Sequence, residues 1–453
     1  MSALPRAMDT RDPRDSCAIA SPDPFGRSWY HHQCGPSPAR PGLDNELRCD
    51  VAIVGGGLFG LSTALHLAER GVDVALVEAG RIGDGASGRN GGLVLPGFAA
   101  TNAELAAASD PETARALWRL TVDAVETVKA LVADHAIACD LQAGVVTAAA
   151  APGHARRLCR DAGDLRRDHG YADLETLSAA EVRALIGTDR HHGGLLDRRA
   201  AHLQPLAFTR GLASAAERAG ARLYEASPAL AVTGGDRPTV TTAAGRLVAR
   251  EVVLAANVAI GDLAPGLAPG VVPLATYMIA TEPMGAARAA RLMPGRVAAY
   301  DTEVALNYFR LSADHRLLFG GGVTAGPRDR AWITRHLGRA MTGLFPQLAD
   351  LRIEHAWGGR LDMTPNRVVR AGRDGTGCWF ADGFSGHGLA LSVRVGRAMA
   401  DALTGAPADL ALLGRVRHRD LPLARRLAPV ALPARVAWER LRQAVRPDAF
   451  YSL

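Results

Sequence analysis

Hydrophobic and polar positions follow two periods that alternate along most of the chain. Residues 50–54 are an apolar run of strand length that breaks into Gly55-Gly56-Gly57-Leu58-Phe59-Gly60, and a helical pattern follows at 61–68. Gly71 closes that helix, residues 73–77 read as a second buried strand, and Glu78 ends it. Residues 110–135 read as a helix: Ser109 or Asp110 caps it, Pro111 suits its first turn, and Leu117, Leu120, Val125, Val128, Leu131 and Val132 supply its apolar face. Strands are expected at 141–149 and 193–196, with helices at 153–169 and 178–185. The second of these helices opens on the capping box Ser178-Ala179-Ala180-Glu181. A helix from Pro205 to Ala219 leads to strands at 221–224, 239–242 and 251–257.

Period-two alternation at 273–282 and 305–322 predicts antiparallel strands, with Ala313-Asp314-His315 turning a hairpin between 308–311 and 316–319. A helix at 331–345 and a strand at 352–357 come next. Trp379-Phe380-Ala381 then runs into Asp382-Gly383-Phe384-Ser385-Gly386-His387-Gly388 ahead of a helix at 389–403. The chain thus contains two strand–glycine–helix joints far apart in sequence. Residues 1–47 show no apolar period and read as a partly disordered extension. The tail from 407 to 453 is arginine-rich, with amphipathic helical stretches around 421–427 and 434–445 that read as packed or partner-facing.

The first joint carries specific chemistry. Gly55, Gly57 and Gly60 fill the G-x-G-x-x-G positions, which let the chain turn, admit a pyrophosphate to the backbone and pack helix on strand. The helix start offers free N–H groups and the positive end of its dipole to an anion. Glu78 lies about 20 residues on, where a carboxylate accepts both hydroxyls of an adenosine ribose. The glycine-rich stretch from Arg81 to Gly92 is too long for a tight turn and needs a ligand to shape it.

With those residues in view, the run from Gly55 to Gly92 resembles the D-amino acid oxidase-like family of FAD-dependent amine oxidoreductases, and within it the gamma-glutamylputrescine oxidoreductase branch. The resemblance implies an α/β fold: a Rossmann-type FAD-binding domain built from discontinuous segments (48–102, 200–262 and 355–406) and a substrate domain with a mostly antiparallel sheet (103–199 and 263–354). It places Leu58, Phe59, Ala79, Arg81, Ala86, Ser87, Gly88, Arg89, Asn90 and Gly91 against the cofactor. Ala255, Ala256 and Asn257 follow as a returning turn, although small residues end many buried strands. The third contact is Gly383, Phe384, Ser385, Gly386, His387, Gly388 and Leu389. Ser28-Trp29-Tyr30 resembles an aromatic segment that packs on the body ahead of the first strand. In sarcosine oxidase-like members a cysteine carries FAD covalently; residues 357–373 have none and Cys378 lies too close to Gly383, which implies non-covalent FAD.

The same resemblance implies oxidation of the C–N bond of an amine or amino acid by hydride transfer to flavin N5, giving an imine that water hydrolyses. O2 or an electron carrier takes the electrons. A gamma-glutamylated polyamine is the first substrate expectation, with a glycine or sarcosine-type oxidase or dehydrogenase, or a non-catalytic FAD sensor, as alternatives. Arg310 is a candidate carboxylate anchor, with a surface ion pair as the alternative. Tyr308 is expected on the opposite strand face, so that only one of the two meets the ring. His387 either faces the pyrimidine or substrate or is satisfied by backbone. Tyr277 and Trp357 are candidate cavity walls or plain core.

Composition narrows little further. The net charge of +6 is spread along the chain, and Lys129 is its single lysine, so it signals no nucleic-acid partner. The six cysteines show no metal-ligand spacing, and the absence of a signal-like stretch or a long apolar run leads to the expectation of a cytoplasmic protein with no membrane span.

Overall fold

The computed structural model describes residues 24–421 and 424–445. Its centre is a six-stranded sheet in the order 370–373, 379–382, 251–254, 51–54, 74–77, 222–224, parallel except at the Arg370–Arg373 edge. Val51–Val54 and Val74–Val77 are buried on both faces, which is why they read as continuous apolar runs. Val51, Ile53, Val74 and Leu76 pack toward the helices Leu58–Ala68, Pro205–Arg218 and Gly388–Leu403. Ala52, Val54, Ala75 and Val77 face a four-stranded sheet that contributes Val240 and Leu247.

All eleven residues of Leu58–Ala68 are buried, because helix 388–403 crosses it closely. Gly396 permits the crossing: a Cβ there would stand 2.7 Å from that of Ser62. Ser62 donates to Val393 O at 2.7 Å, so the buried hydroxyl is satisfied.

The second body is a nine-stranded sheet ordered 353–363, 272–281, 317–324, 308–311, 298–301, 142–148, 194–202, 93–94, with 174–177 added beside 194–202. Its neighbours are antiparallel apart from the pair 298–301 with 142–148. One face packs on helices Ala179–Ile186, Ala286–Leu292 and Arg330–Leu344. The other presents Met278, Leu318 and Trp357 to the aromatic pair Trp29 and Tyr30.

Several sequence expectations need correction. Strands Gly194–His202 and Ile353–Met363 are longer than expected and run across the segment limits drawn at 199/200 and 354/355. Leu174–Leu177 is an edge strand too exposed to show a period, and Asn102–Ala108, Ala286–Leu292 and Ala408–Leu413 are short helices. Of the expected extension, residues 1–23 lie outside the described residues, while Trp29–Cys34 is a helix and Glu46–Arg48 a strand. The two stretches expected in the tail are one helix, Ala424–Val445, with Pro429 and Pro433 inside it; residues 422–423 and 446–453 lie outside the described residues.

Candidate active site

At the carboxyl end of Val51–Val54 the three glycines stand where nothing larger fits. A Cβ on Gly55, whose φ is +117°, would meet Ala255 O at 2.4 Å, and one on Gly60 would meet Gly55 O at 2.1 Å. A Cβ on Gly57 would lie 2.9 Å from Ser87 Oγ, which accepts from Leu58 N at 2.9 Å. The first joint, the second loop and the returning strand therefore touch at one point. Glu78 accepts from Gly56 N at 2.7 Å through Oε2 and from Gly80 N at 2.9 Å through Oε1. Each oxygen keeps a lone pair for a hydroxyl. Burial pushes the Glu78 carboxyl up, against the pull of those two amides.

Residues 84–92 form a braced loop. Ala86–Gly88 is a 3-10 turn; Asn90 Nδ2 donates to Ala86 O and Ser87 O, and its Oδ1 accepts from Gly92 N at 2.9 Å. Tyr30 donates to Asn90 O at 2.9 Å, Trp357 Nε1 to Arg89 O at 2.9 Å, and Arg310 Nε to Gly91 O at 2.8 Å. Arg89 reaches Gly26 O at 2.7 Å. The aromatic segment thus packs on the body: Trp29 and Tyr30 are buried, and the Tyr30 ring lies 5.4 Å from that of Trp357.

Tyr308 and Arg310 share the same face, contrary to the expectation that they oppose each other. They are two residues apart, and side chains alternate with a period of two. A Cβ on Gly91 would meet the Tyr308 ring at 2.7 Å, and one on Gly92 would come within 3.1 Å of the Arg310 guanidinium, so both residues lie against the loop. The register continues this face across the sheet through Tyr300, Tyr308, Gly320, Met278 and Trp357. Tyr308 lies over Gly320, where a Cβ would stand 2.1 Å from its ring. Arg310 is 2% exposed, its guanidinium 5.8 Å from the Tyr30 ring centroid, and no carboxylate among the described residues pairs with it.

The second glycine joint closes the site. Gly383 N donates to Asp362 Oδ2 at 2.6 Å, and Ser385 N to Asp362 O at 2.9 Å. Helix Gly388–Leu403 begins after His387 with no side-chain cap and no acid in its first turn, so its leading N–H groups are open to a ligand. Phe384 lies 6.3 Å from Phe59, which ties this joint to the first. The His387 ring meets Pro96 O through Nε2 at 3.1 Å, so a backbone carbonyl satisfies it. Asn257, with φ +50°, turns the chain after Ala255 and Ala256.

Not every candidate points inward. The Arg81 guanidinium stands 3.8 Å from Glu225, and Ala79 is exposed. Tyr277 lies on the far face, its hydroxyl bonded to Thr324 and Gly326 and its ring 5.3 Å from Trp332. Sequence reading missed Asp362, Tyr300 and Gly92. The parity of the strands holding Tyr308 and Trp357 was the available signal for Tyr300, whereas Asp362 carried none, because its role depends on a contact 21 residues away.

This geometry fits FAD. Glu78 would take the ribose, the helix starts at Leu58 and the loop at 86–88 the pyrophosphate, and loop 89–92 with the joint 383–388 the ring system; the glycines form a cradle that any Cβ would fill. A family model described as FAD dependent oxidoreductase matches residues 50–402, and the chain belongs to that family. Its curated relatives include gamma-glutamylputrescine oxidoreductase of Escherichia coli (strain K12), 34% identical over 386 residues that cover 85% of this chain and 90% of the relative. A probable oxidoreductase OrdL of Rhizobium meliloti (strain 1021) is 33% identical over 430 residues, 93% of this chain and 98% of that protein. Among solved structures, glycine oxidase from Geobacillus kaustophilus shares the fold with a TM-score of 0.70 at 23% identity, covering 82% of this chain and 99% of its own. No helix among the described residues is long and apolar enough to cross a membrane.

Proposed function

We propose that this enzyme oxidises the C–N bond of an amine carrying an amino-acid or gamma-glutamyl head, giving an imine that water hydrolyses, with O2 as acceptor and hydrogen peroxide as product. The observation that carries the reading is the convergence of both glycine joints and loop 86–92 beneath the face bearing Tyr300 and Tyr308, in a chain 34% identical to a gamma-glutamylputrescine oxidoreductase. Bound FAD supplies the two-electron acceptor that amine oxidation requires.

The chain's own groups would position and polarise. The open first turn of helix 388–403 would hold negative charge through its N–H groups and dipole. Leu93 and Leu95, which pack on the same small cluster as Tyr300, would give the substrate an apolar wall and keep water from the reacting carbon. Arg310 serves better as the brace of the loop than as a carboxylate anchor, because its Nε donates to Gly91 O and its Nη2 to the Tyr30 hydroxyl. Cys378 is buried at the amino-terminal start of strand Trp379–Asp382, whereas ligands of such sheets sit at the carboxyl ends, which supports non-covalent FAD.

The reading is tested by incubating the FAD-saturated enzyme with gamma-glutamylputrescine, glycine, sarcosine and putrescine and measuring peroxide. The gamma-glutamylated amine should give the highest kcat/KM, by about tenfold or more over putrescine. Equal rates for both amines would remove the head-group claim, and turnover only with an artificial electron carrier would replace O2 as the acceptor.

A further inference from the structure

A cavity of about 660 Å³ opens at the edge strand Ile353–Met363, beside the segment 24–36 that braces the flavin loop. It is lined by Arg27, Arg328, Arg330, His31, His32 and His355 together with apolar and backbone groups, and no carboxylate is among the described residues that line it. The acids nearby are committed elsewhere. Asp84 accepts from the His31 ring at 2.9 Å, Glu354 pairs with Arg316, and Asp329 caps its own helix at Trp332 N. None of Arg27, Arg328 and Arg330 pairs with a carboxylate among the described residues. The His32 and His355 rings stand 5.4 Å apart, adding nitrogen donors between the arginines.

Arg330 donates to Glu354 O at 2.7 Å and Arg328 lies 5.6 Å from the Trp332 ring centroid, so both are held at the wall without an ion pair. Three arginines lining one concavity with no carboxylate paired to them repel one another, and a bound anion relieves that repulsion. The guanidinium fork matches phosphate and carboxylate oxygens in pairs. We propose that this cavity binds a small multivalent oxyanion, phosphoryl or polycarboxylate, beside the segment that braces the flavin loop. The position gives the site a route to that loop. His31 lines the cavity and grips Asp84 at the loop's start, and Gly26, also on the wall, accepts the hydrogen bond from Arg89 in the loop. An anion that orders the wall therefore also orders the loop, whatever amine the enzyme oxidises.

The test uses the full chain saturated with FAD, titrated calorimetrically at low ionic strength with pyrophosphate in one arm and citrate in the other, with chloride as the monovalent control. The expected result is saturable binding of at least one polyanion with a Kd below about 1 mM, weakened about tenfold or more in the double variant Arg328→Ala/Arg330→Ala. Both positions are exposed and outside the flavin cradle, so the variant should keep its FAD and its amine activity. The arm that binds tighter identifies the phosphoryl or polycarboxylate source. Flavin release on heating should shift upward with the bound anion in the wild type and not in the variant. No saturable binding of either polyanion, or equal binding by the variant, would overturn the proposal, while retained amine oxidation in either case leaves the flavin chemistry standing.

Discussion

Arg310 shows how a single side chain changes meaning when its surroundings are known. In the strand it looks like a substrate anchor; in the fold it is buried against the loop and donates to Gly91 O at 2.8 Å. Replacing it by alanine removes a charge-assisted hydrogen bond and leaves a buried carbonyl short of a partner, a cost of about 1.5–3 kcal/mol. Arg310→Ala should therefore weaken FAD binding by about ten- to a hundredfold, as measured by equilibrium dialysis, with little change in KM for whatever enzyme is kept saturated. A raised KM at unchanged FAD affinity would return Arg310 to the substrate. At this scale the sequence was informative where a short motif carries the role: Gly55, Gly57 and Gly60 were legible from their spacing alone, although Ala255 and Ser87 supply part of the crowding that requires them. It was silent on Asp362 and ambiguous on His387, because a hydrogen bond to Gly383 or to Pro96 O depends on which distant segment arrives there.

Among elements, strand Ile353–Met363 has two functions, since Trp357 braces loop 86–92 and Asp362 holds the joint at Gly383. Burial, with repulsion from Asp382 next, pushes the Asp362 carboxyl up to about 7, against the pull of the Gly383 amide. The folded protein then keeps a proton on Asp362 between roughly pH 4 and 7 that the unfolded chain releases, so this group's contribution falls as pH rises through that window. The slope is at most about 1.4 kcal/mol per pH unit. Asp362→Asn retains an acceptor for Gly383 N and does not titrate. Its melting temperature should therefore fall less between pH 5 and pH 7 than that of the wild type; parallel curves would mean that Asp362 is already ionised at the lower pH. Elements with strong periods, such as Pro111–Asp134, were legible from sequence to within a residue or two. The helix Trp29–Cys34 was legible only as an aromatic triplet, since six residues cannot display a helical period.

The described residues build a mostly parallel six-stranded sheet backed by a four-stranded one, and a largely antiparallel nine-stranded sheet joined to the first by loop 84–92, with the flavin cradle built from segments more than 300 residues apart. Two strand–glycine–helix joints in one chain suggested that arrangement, and the contact between Phe59 and Phe384 closes it. Sheet order was not legible, because nothing local tells Trp379–Asp382 to pair with Glu251–Leu254 rather than with Val51–Val54. The segment limits drawn at 199/200 and 354/355 fall inside Gly194–His202 and Ile353–Met363, which run unbroken within the nine-stranded sheet and carry no turn residue that would mark their ends. The proposed chemistry needs one FAD held between the two joints and reduced by an amine. Mixing the FAD-loaded protein with gamma-glutamylputrescine in the absence of oxygen, and following visible absorbance, tests this most directly. The flavin band should bleach within the turnover time and return when air is admitted; a band that stays unchanged with that amine and with glycine and sarcosine, or a protein that does not retain FAD, would contradict it.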